Sequence, residues 1–253
     1  MTAPSDITAV ILAGGLGTRL REITQDRCPK PMVPVPAAGG EAPFLEFVLA
    51  HLAREGIRDF ILCTGHLGAQ IVRHFGDGSQ FGLRIRYDDA GDADTGARVA
   101  SAARLLGRED MLVACGDVYF PLDLAAFLDG FAAHPGWLAG LAGVADAPAE
   151  SANMVLDGAG RVVAHGDIAG VPGRRALETG VLALRKPALA ERYSGPEFSL
   201  THHLFPALIR QGRIGGMIAE APFFDIGTPD GYRRFCAFAA GGHAAPVARR
   251  GDA

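Results

Sequence analysis

The chain has little of what marks an extracellular, membrane-spanning or nucleic-acid-binding protein. Its four cysteines, Cys28, Cys63, Cys115 and Cys236, are scattered over 253 residues with no C-x-x-C pair. That pattern argues against a disulfide framework or a zinc site and fits a reducing cytoplasm. Cys63 and Cys115 stand in apolar runs and read as small buried hydrophobes. No run approaches the roughly 20 apolar residues that a membrane span needs, and the start of the chain lacks the basic region of a signal peptide. The formal net charge is −4, so the basic face of a nucleic-acid binder is not expected. No Ser-His or Cys-His arrangement for activating a nucleophile is evident, and His202-His203 is not the i, i+4 spacing of a helical metal site. A P-loop is excluded because no Gly-Lys-Ser/Thr occurs, and a dinucleotide fingerprint begun at Gly15 fails at Leu20. No internal repeat is present.

What the chain does have is a core: 49% of residues are hydrophobic and 21% charged, enough for one large α/β domain or two small ones. Strand-length apolar runs at 7–13, 58–64, 83–88 and 111–115 alternate with helix-period stretches near 44–55, 69–75, 96–106 and 122–134. Alternation of this kind predicts parallel strands joined by right-handed crossovers, with ligands beyond the carboxyl ends of the strands. The texture then changes. Short strand-like pieces at 137–144, 153–156, 162–165 and 179–184 read as a mixed continuation of the sheet carrying an acceptor pocket. Helices follow at 200–210, with Ser199 as its expected cap, and at 232–239. The last residues, 241–253, are small and polar and are expected to fray. Trp137 reads as core or interface.

The richest stretch is 10–36. The apolar run Val10-Ile11-Leu12-Ala13 empties into Gly14-Gly15-Leu16-Gly17-Thr18-Arg19, and Lys30 follows between Pro29 and Pro31. Glycines free several N–H groups to face one anion. Arg19 adds a fork of donors, Lys30 adds a point charge, and the prolines restrict the backbone around it. A strand emptying into such a loop is suited to a polyphosphate. Two aspartates also end apolar runs beside glycine: Asp117 in Ala114-Cys115-Gly116-Asp117, and Asp225 in Phe223-Phe224-Asp225-Ile226-Gly227-Thr228-Pro229. A carboxylate there suits Mg²⁺ in a site completed by phosphate oxygens and water. Read alone, each would also serve as a turn cap or strand punctuation.

Leu12-Ala13-Gly14-Gly15-x-Gly17-Thr18-Arg19-Leu20 followed by Pro29-Lys30-Pro31-Met32 resembles the signature of the sugar-1-phosphate nucleotidyltransferases, and the resemblance runs from about Ile7 to Phe235. It implies a Rossmann-like α/β fold of the glycosyltransferase-A-like kind, a mixed, mainly parallel sheet flanked by helices in a single domain. Residues 1–240 would form that domain, with a nucleotide-binding half of about 1–135, a sugar-phosphate half of about 136–240, and a flexible tail at 241–253. The implied partners are an NTP and a sugar 1-phosphate; relatives are often dimers or tetramers. The sugar phosphate attacks the α-phosphorus and expels pyrophosphate. The nucleophile is already an anion, so positioning and charge neutralisation are what the protein supplies. Arg19 is assigned to the departing pyrophosphate and Lys30 to the α-phosphate. Asp117 and Asp225, matching the family's metal-binding aspartates, would hold Mg²⁺. Leu12, Ala13, Gly14, Gly15, Gly17, Thr18 and Arg19, with Thr95 and Gly96 in the base loop, would bind the nucleotide.

Two departures from the family concern specificity. Many relatives carry Leu-Gly-Thr-Gly-Gly-Ala in the base loop, where this chain has Ala93-Asp94-Thr95-Gly96-Ala97-Arg98. Thr-Gly-Ala-Arg-Val looks somewhat like glucose-1-phosphate cytidylyltransferases, whereas the stretch 75–83, the length and the Asp225 motif look more like heptose-1-phosphate guanylyltransferases. GTP with a heptose 1-phosphate is one reading; cytidylyl or another base on a different sugar is a second, and a non-catalytic nucleotide binder on the same fold a third. The family's sugar-phosphate lysine is also absent, its place reading Ala164-His165-Gly166. Arg174, Arg175 or a protonated His165 are substitutes. Glu178-Thr179-Gly180 stands where relatives often have Asn-x-Gly, and Glu178 would accept sugar hydroxyls or be a loop charge.

Overall fold

A computed structural model describes residues 4–15, 17–89, 91–145, 151–189 and 195–249. In chain order the strands are β1 (Thr8–Leu12), β2 (Pro34–Ala37), β3 (Gly40–Pro43), β4 (Asp59–Thr64), β5 (Arg84–Asp89), β6 (Asp110–Cys115), β7 (Val118–Tyr119), β8 (Ala139–Val144), β9 (Met154–Leu156), β10 (Val162–His165), β11 (Arg174–Arg185), β12 (Ile214–Ala219) and β13 (Phe224–Asp225). The helices are α1 (Arg21–Thr24), α2 (Phe44–Arg54), α3 (Gly68–Phe75), α4 (Thr95–Ala103), α5 (Leu124–Ala132), α6 (Phe205–Arg210) and α7 (Pro229–Ala240).

Among the described residues, nine strands make one mixed sheet. Its path is β10-β9-β11-β6-β1-β4-β5, with β8 beside β11 and β12 beside β8. The β1, β4, β5 and β6 strands run parallel, whereas β11 lies antiparallel to β6 and β8. The chain steps from β1 outward to β4 and β5 and returns to β6 on the other side of β1. The direction therefore switches at the carboxyl ends of β1 and β6, where an open sheet of this kind binds ligands. Gly14–Gly17 leave one of these ends and Gly116-Asp117 the other, and Gly116 N donates to Leu12 O at 2.9 Å.

Burial on both faces explains why these strands read as continuous apolar runs. Along β1, Ala9 and Ile11 pack into a core with Phe44, Phe47 and Leu49 of α2 and Phe235 of α7. Val10 faces the opposite core, built from Val99 and Ala102 of α4 and Phe205 and Leu208 of α6.

The mixed second half matches the expected continuation of the sheet, with differences in detail. The β11 strand is longer than expected, and its register against β8 shifts between Glu178 and Leu182. β12 and the β2–β3 hairpin were not anticipated, because Ile214-Gly215-Gly216 and a proline-rich stretch carry no alternation. Gly215 is required there: a Cβ would sit 2.0 Å from the Trp137 ring, which is buried. The expected helix at 200–210 begins as a π-helical turn, Leu200–Leu204. Ser199 does not cap it with its side chain; its backbone N–H donates instead to His203 Nδ1 at 3.0 Å. The segment expected to fray lies, up to Arg249, against the domain: Val247 N donates to Glu46 O at 3.2 Å, and Arg249 stands over the Phe81 ring.

Candidate active site

Each glycine of the β1 loop has its own job. Gly17 adopts φ +65°, and a Cβ there would lie 2.9 Å from Lys30 Cγ. The turn thus needs glycine twice over, for its backbone and for the lysine stem crossing it. At Gly14 a Cβ would meet the Thr64 carbonyl at 2.7 Å and the Arg98 guanidinium at 1.9 Å. Gly15 is exposed with open space around it. Leu16 lies outside the described residues, and Thr18 opens a short 3-10 turn that carries Arg19 to the surface.

Lys30 begins a second 3-10 turn, Lys30–Met32, with Pro29 extended before it. Its ammonium donates to Asp117 Oδ2 at 2.8 Å, the two side chains being 12% and 28% exposed. The loop after β1 and the loop after β6 are thereby joined by charge over 87 residues of sequence.

Asp225 reaches the same place from the end of the chain. β13 pairs antiparallel with β7, setting Asp225 against Val118, and Ile226 N donates to Asp117 O at 3.0 Å. Asp225 Oδ1 accepts Gly227 N at 2.6 Å, so one oxygen caps the turn. Gly231 must be glycine, because a Cβ would stand 1.9 Å from Asp225 O. Thr228 then caps α7, accepting Gly231 N at 3.1 Å. An Arg19 amino group lies 3.1 Å from where a Cβ on Gly227 would be, which places its charge beside the Asp225 turn.

Cys115 reports how these charges converge. Burial pushes its thiol well above the usual range, and Asp117, Glu178 and Asp225 push it further while Lys30 opposes them. Among the described residues no three His, Cys, Asp or Glu side chains form a ready metal cluster. Asp117 and Asp225 are hard oxygen donors of the kind that could hold a divalent ion whose shell phosphates and water complete.

A cavity of about 370 Å³ opens over this constellation, lined by Leu12, Ala13, Gly14, Gly15, Lys30, Asp117 and the loop from Asp92 to Thr95. Asp94 caps α4, accepting from Thr95 N, and Thr95 Oγ1 donates to Asp94 at 2.9 Å and accepts Leu200 N at 3.1 Å. Gly96 does not line the cavity; its lack of a side chain admits the Phe198 carbonyl, which would stand 2.7 Å from a Cβ.

The residues expected to bind the acceptor, Arg175 and Glu178 to Gly180, lie on β11. Glu178 N donates to Asn153 Oδ1 at 2.8 Å, and Glu178 Oε1 accepts Gly180 N at 2.7 Å. Thr179 is buried with its hydroxyl donated to Ala142 O at 2.9 Å. Gly180 has φ +76° and abuts Cys115 Sγ, which joins β11 to the end of β6. Arg175 is exposed and donates to Ile168 O at 3.3 Å. His165 packs edge-on to Phe205, with Nε2 3.9 Å from Glu178 Oε2 and no hydrogen-bond partner. A second cavity of about 680 Å³ lies beside Leu177 and Phe224, the neighbours of Glu178 and Asp225. Sequence reasoning missed Asn153, whose role appears only when β9 is laid against β11.

The sequence model described as "Nucleotidyl transferase" matches residues 8–163. The chain is 34% identical over 253 residues to the mannose-1-phosphate guanylyltransferase of Mycobacterium tuberculosis, covering 98% of this chain and 69% of that protein. It is 30% identical over 230 residues to the D-glycero-alpha-D-manno-heptose 1-phosphate guanylyltransferase of Aneurinibacillus thermoaerophilus, with 89% and 95% covered. Among solved structures, HddC from Yersinia pseudotuberculosis complexed with GMP-PN superposes with a TM-score of 0.76 at 25% identity, over 91% of this chain and 98% of that one. Further relatives are named for uridylyl or thymidylyl transfer, so similarity fixes the reaction and leaves the base open.

Proposed function

The chain belongs to the nucleotidyl transferase family, as a sugar-1-phosphate nucleotidyltransferase, and we propose that it joins GTP to a heptose 1-phosphate, releasing pyrophosphate. The observation that carries the transfer reaction is the Lys30–Asp117 pair lining the glycine-loop cavity, with Asp225 on the adjoining strand; the choice of GTP and a heptose is supported by likeness to the heptose-1-phosphate guanylyltransferase and to the GMP-PN complex of HddC. The nucleotide takes the half of the domain up to about residue 135, and the sugar phosphate the half from about 136 to 240.

In this reading an oxygen of the sugar 1-phosphate attacks the α-phosphorus, and the bond to the bridging oxygen of pyrophosphate breaks. Lys30 neutralises the α-phosphate and Arg19 the departing pyrophosphate, which cancels the repulsion between two polyanions. The family generally works with a divalent metal; Mg²⁺ held by Asp117 and Asp225 would polarise the α-phosphate. Glu178, steadied by Asn153 and Gly180, accepts from sugar hydroxyls. The four free thiols suit a cytoplasmic enzyme. A cytidylyl reading keeps one feature in its favour, the Thr95-Gly96-Ala97-Arg98 run.

Pyrophosphate release from each NTP with Mg²⁺ and a panel of sugar 1-phosphates tests the proposal. Fastest release with GTP and a heptose 1-phosphate is expected. A clear preference for CTP, or for another sugar, replaces the specificity while leaving the reaction in place.

A further inference from the structure

Arg98 is a buried guanidinium on the first turns of α4. Burying a charge is costly unless its donors find acceptors. Among the described residues no carboxylate forms an ion pair with it. Four backbone carbonyls take that place. Nε donates to Ala93 O at 2.6 Å, Nη1 to Thr64 O at 2.9 Å, and Nη2 to Gly14 O at 3.1 Å and Gly91 O at 2.5 Å.

Those carbonyls belong to three segments that meet only in the folded state: the glycine loop after β1, the end of β4, and the loop before α4. Gly14, Ala93 and Arg98 itself line the nucleotide cavity. The neighbouring glycines are shaped to the guanidinium, since a Cβ on Gly14 or Gly65 would lie 1.9 or 3.1 Å from Nη1. Four of the five guanidinium N–H groups are thus spent on the protein.

We propose that Arg98 is a positioning residue that sets the shape of the nucleotide cavity, tying the glycine loop to the 91–94 loop so that the NTP meets preformed walls. The inference rests on the reading that this cavity takes the NTP. It needs the planar fork and not merely a charge, because an ammonium offers its donors from a single point and does not span three segments.

Arg98→Lys and Arg98→Met are to be compared with the wild type for KM of the best NTP, KM of the sugar 1-phosphate, and the rise in melting temperature with NTP and Mg²⁺. Both variants are expected to raise the NTP KM roughly tenfold to a hundredfold, the scale that misplaced contacts reach. The acceptor KM should change little, and the NTP-dependent thermal shift should shrink in step. A variant that only loses folded protein lowers the maximal rate without moving KM, and Lys keeps the assay readable if Met does not fold. An unchanged NTP KM, an equal rise in both KM values, or full rescue by Lys overturns the proposal. A wild type that binds NTP but releases no pyrophosphate fails the functional reading alone, and the thermal titration still decides the role of Arg98.

Discussion

At the scale of single residues, the site hangs on a few contacts between distant loops. Asp117→Ala or Lys30→Ala is expected to lower kcat by roughly a hundredfold to a thousandfold, the range found when one group stabilising developing charge is removed. Because the pair is mostly buried, leaving one charge without its partner should also cost roughly 1–3 kcal/mol of stability without unfolding the domain. Rate measurements beside melting curves check this, and a variant with near-wild-type rate removes that residue from the mechanism. Gly17→Ala places a side chain at φ +65° against the Lys30 stem. A loss of about 1–2 kcal/mol from the left-handed backbone is expected, with a fall in kcat as the lysine is displaced. The glycine pattern of this loop was legible in the sequence, but its division of labour was not. Gly14 answers to Thr64 and Arg98, and Gly17 to Lys30, so the partners lie up to 84 residues away.

Among the elements, α7 holds Asp225 in place through its first turn. Thr228→Ala removes the cap and should cost about 1 kcal/mol. Because the same turn seats Asp225 against β7, the Mg²⁺ concentration for half-maximal rate should rise; a stability loss with unchanged metal dependence would separate the two. A different device lies in α2, where burial, helped by Arg54, lowers the pKa of His51 to about 4, and Nε2 has no hydrogen-bond partner. At pH well above 6.5 neither folded nor unfolded chain binds a proton there. As pH falls through 6.5 the unfolded chain takes up a proton that the folded one refuses until about 4. Stability should therefore fall across this window, by roughly 3 kcal/mol at its acid end. Denaturant melts at pH 7 and pH 5 should show part of that loss, and His51→Phe should flatten it; a slope that persists in the variant assigns it to other groups.

For the whole molecule, ligand binding should be visible as stability. At a concentration one hundred times its dissociation constant, the correct NTP with Mg²⁺ adds about 2.7 kcal/mol, a rise of roughly 5–10 °C for a domain of this size. The NTP giving the largest shift identifies the base. By itself the sequence determined the reaction: the loop at 14–19, the proline-flanked Lys30 and the two strand-end aspartates are local patterns, legible because the phosphate and metal binding proposed for them needs particular residue types at short spacing. It also determined the parallel half of the sheet, since strands buried on both faces must be apolar throughout. Tertiary structure alone decided what those residues touch. Arg98 donates to four carbonyls; Thr179 and Gly96 face the interior; Ser199 does not cap its helix with its side chain. Each of these depends on backbone groups from remote segments, which every residue carries alike, so no residue type announces them before the chain folds.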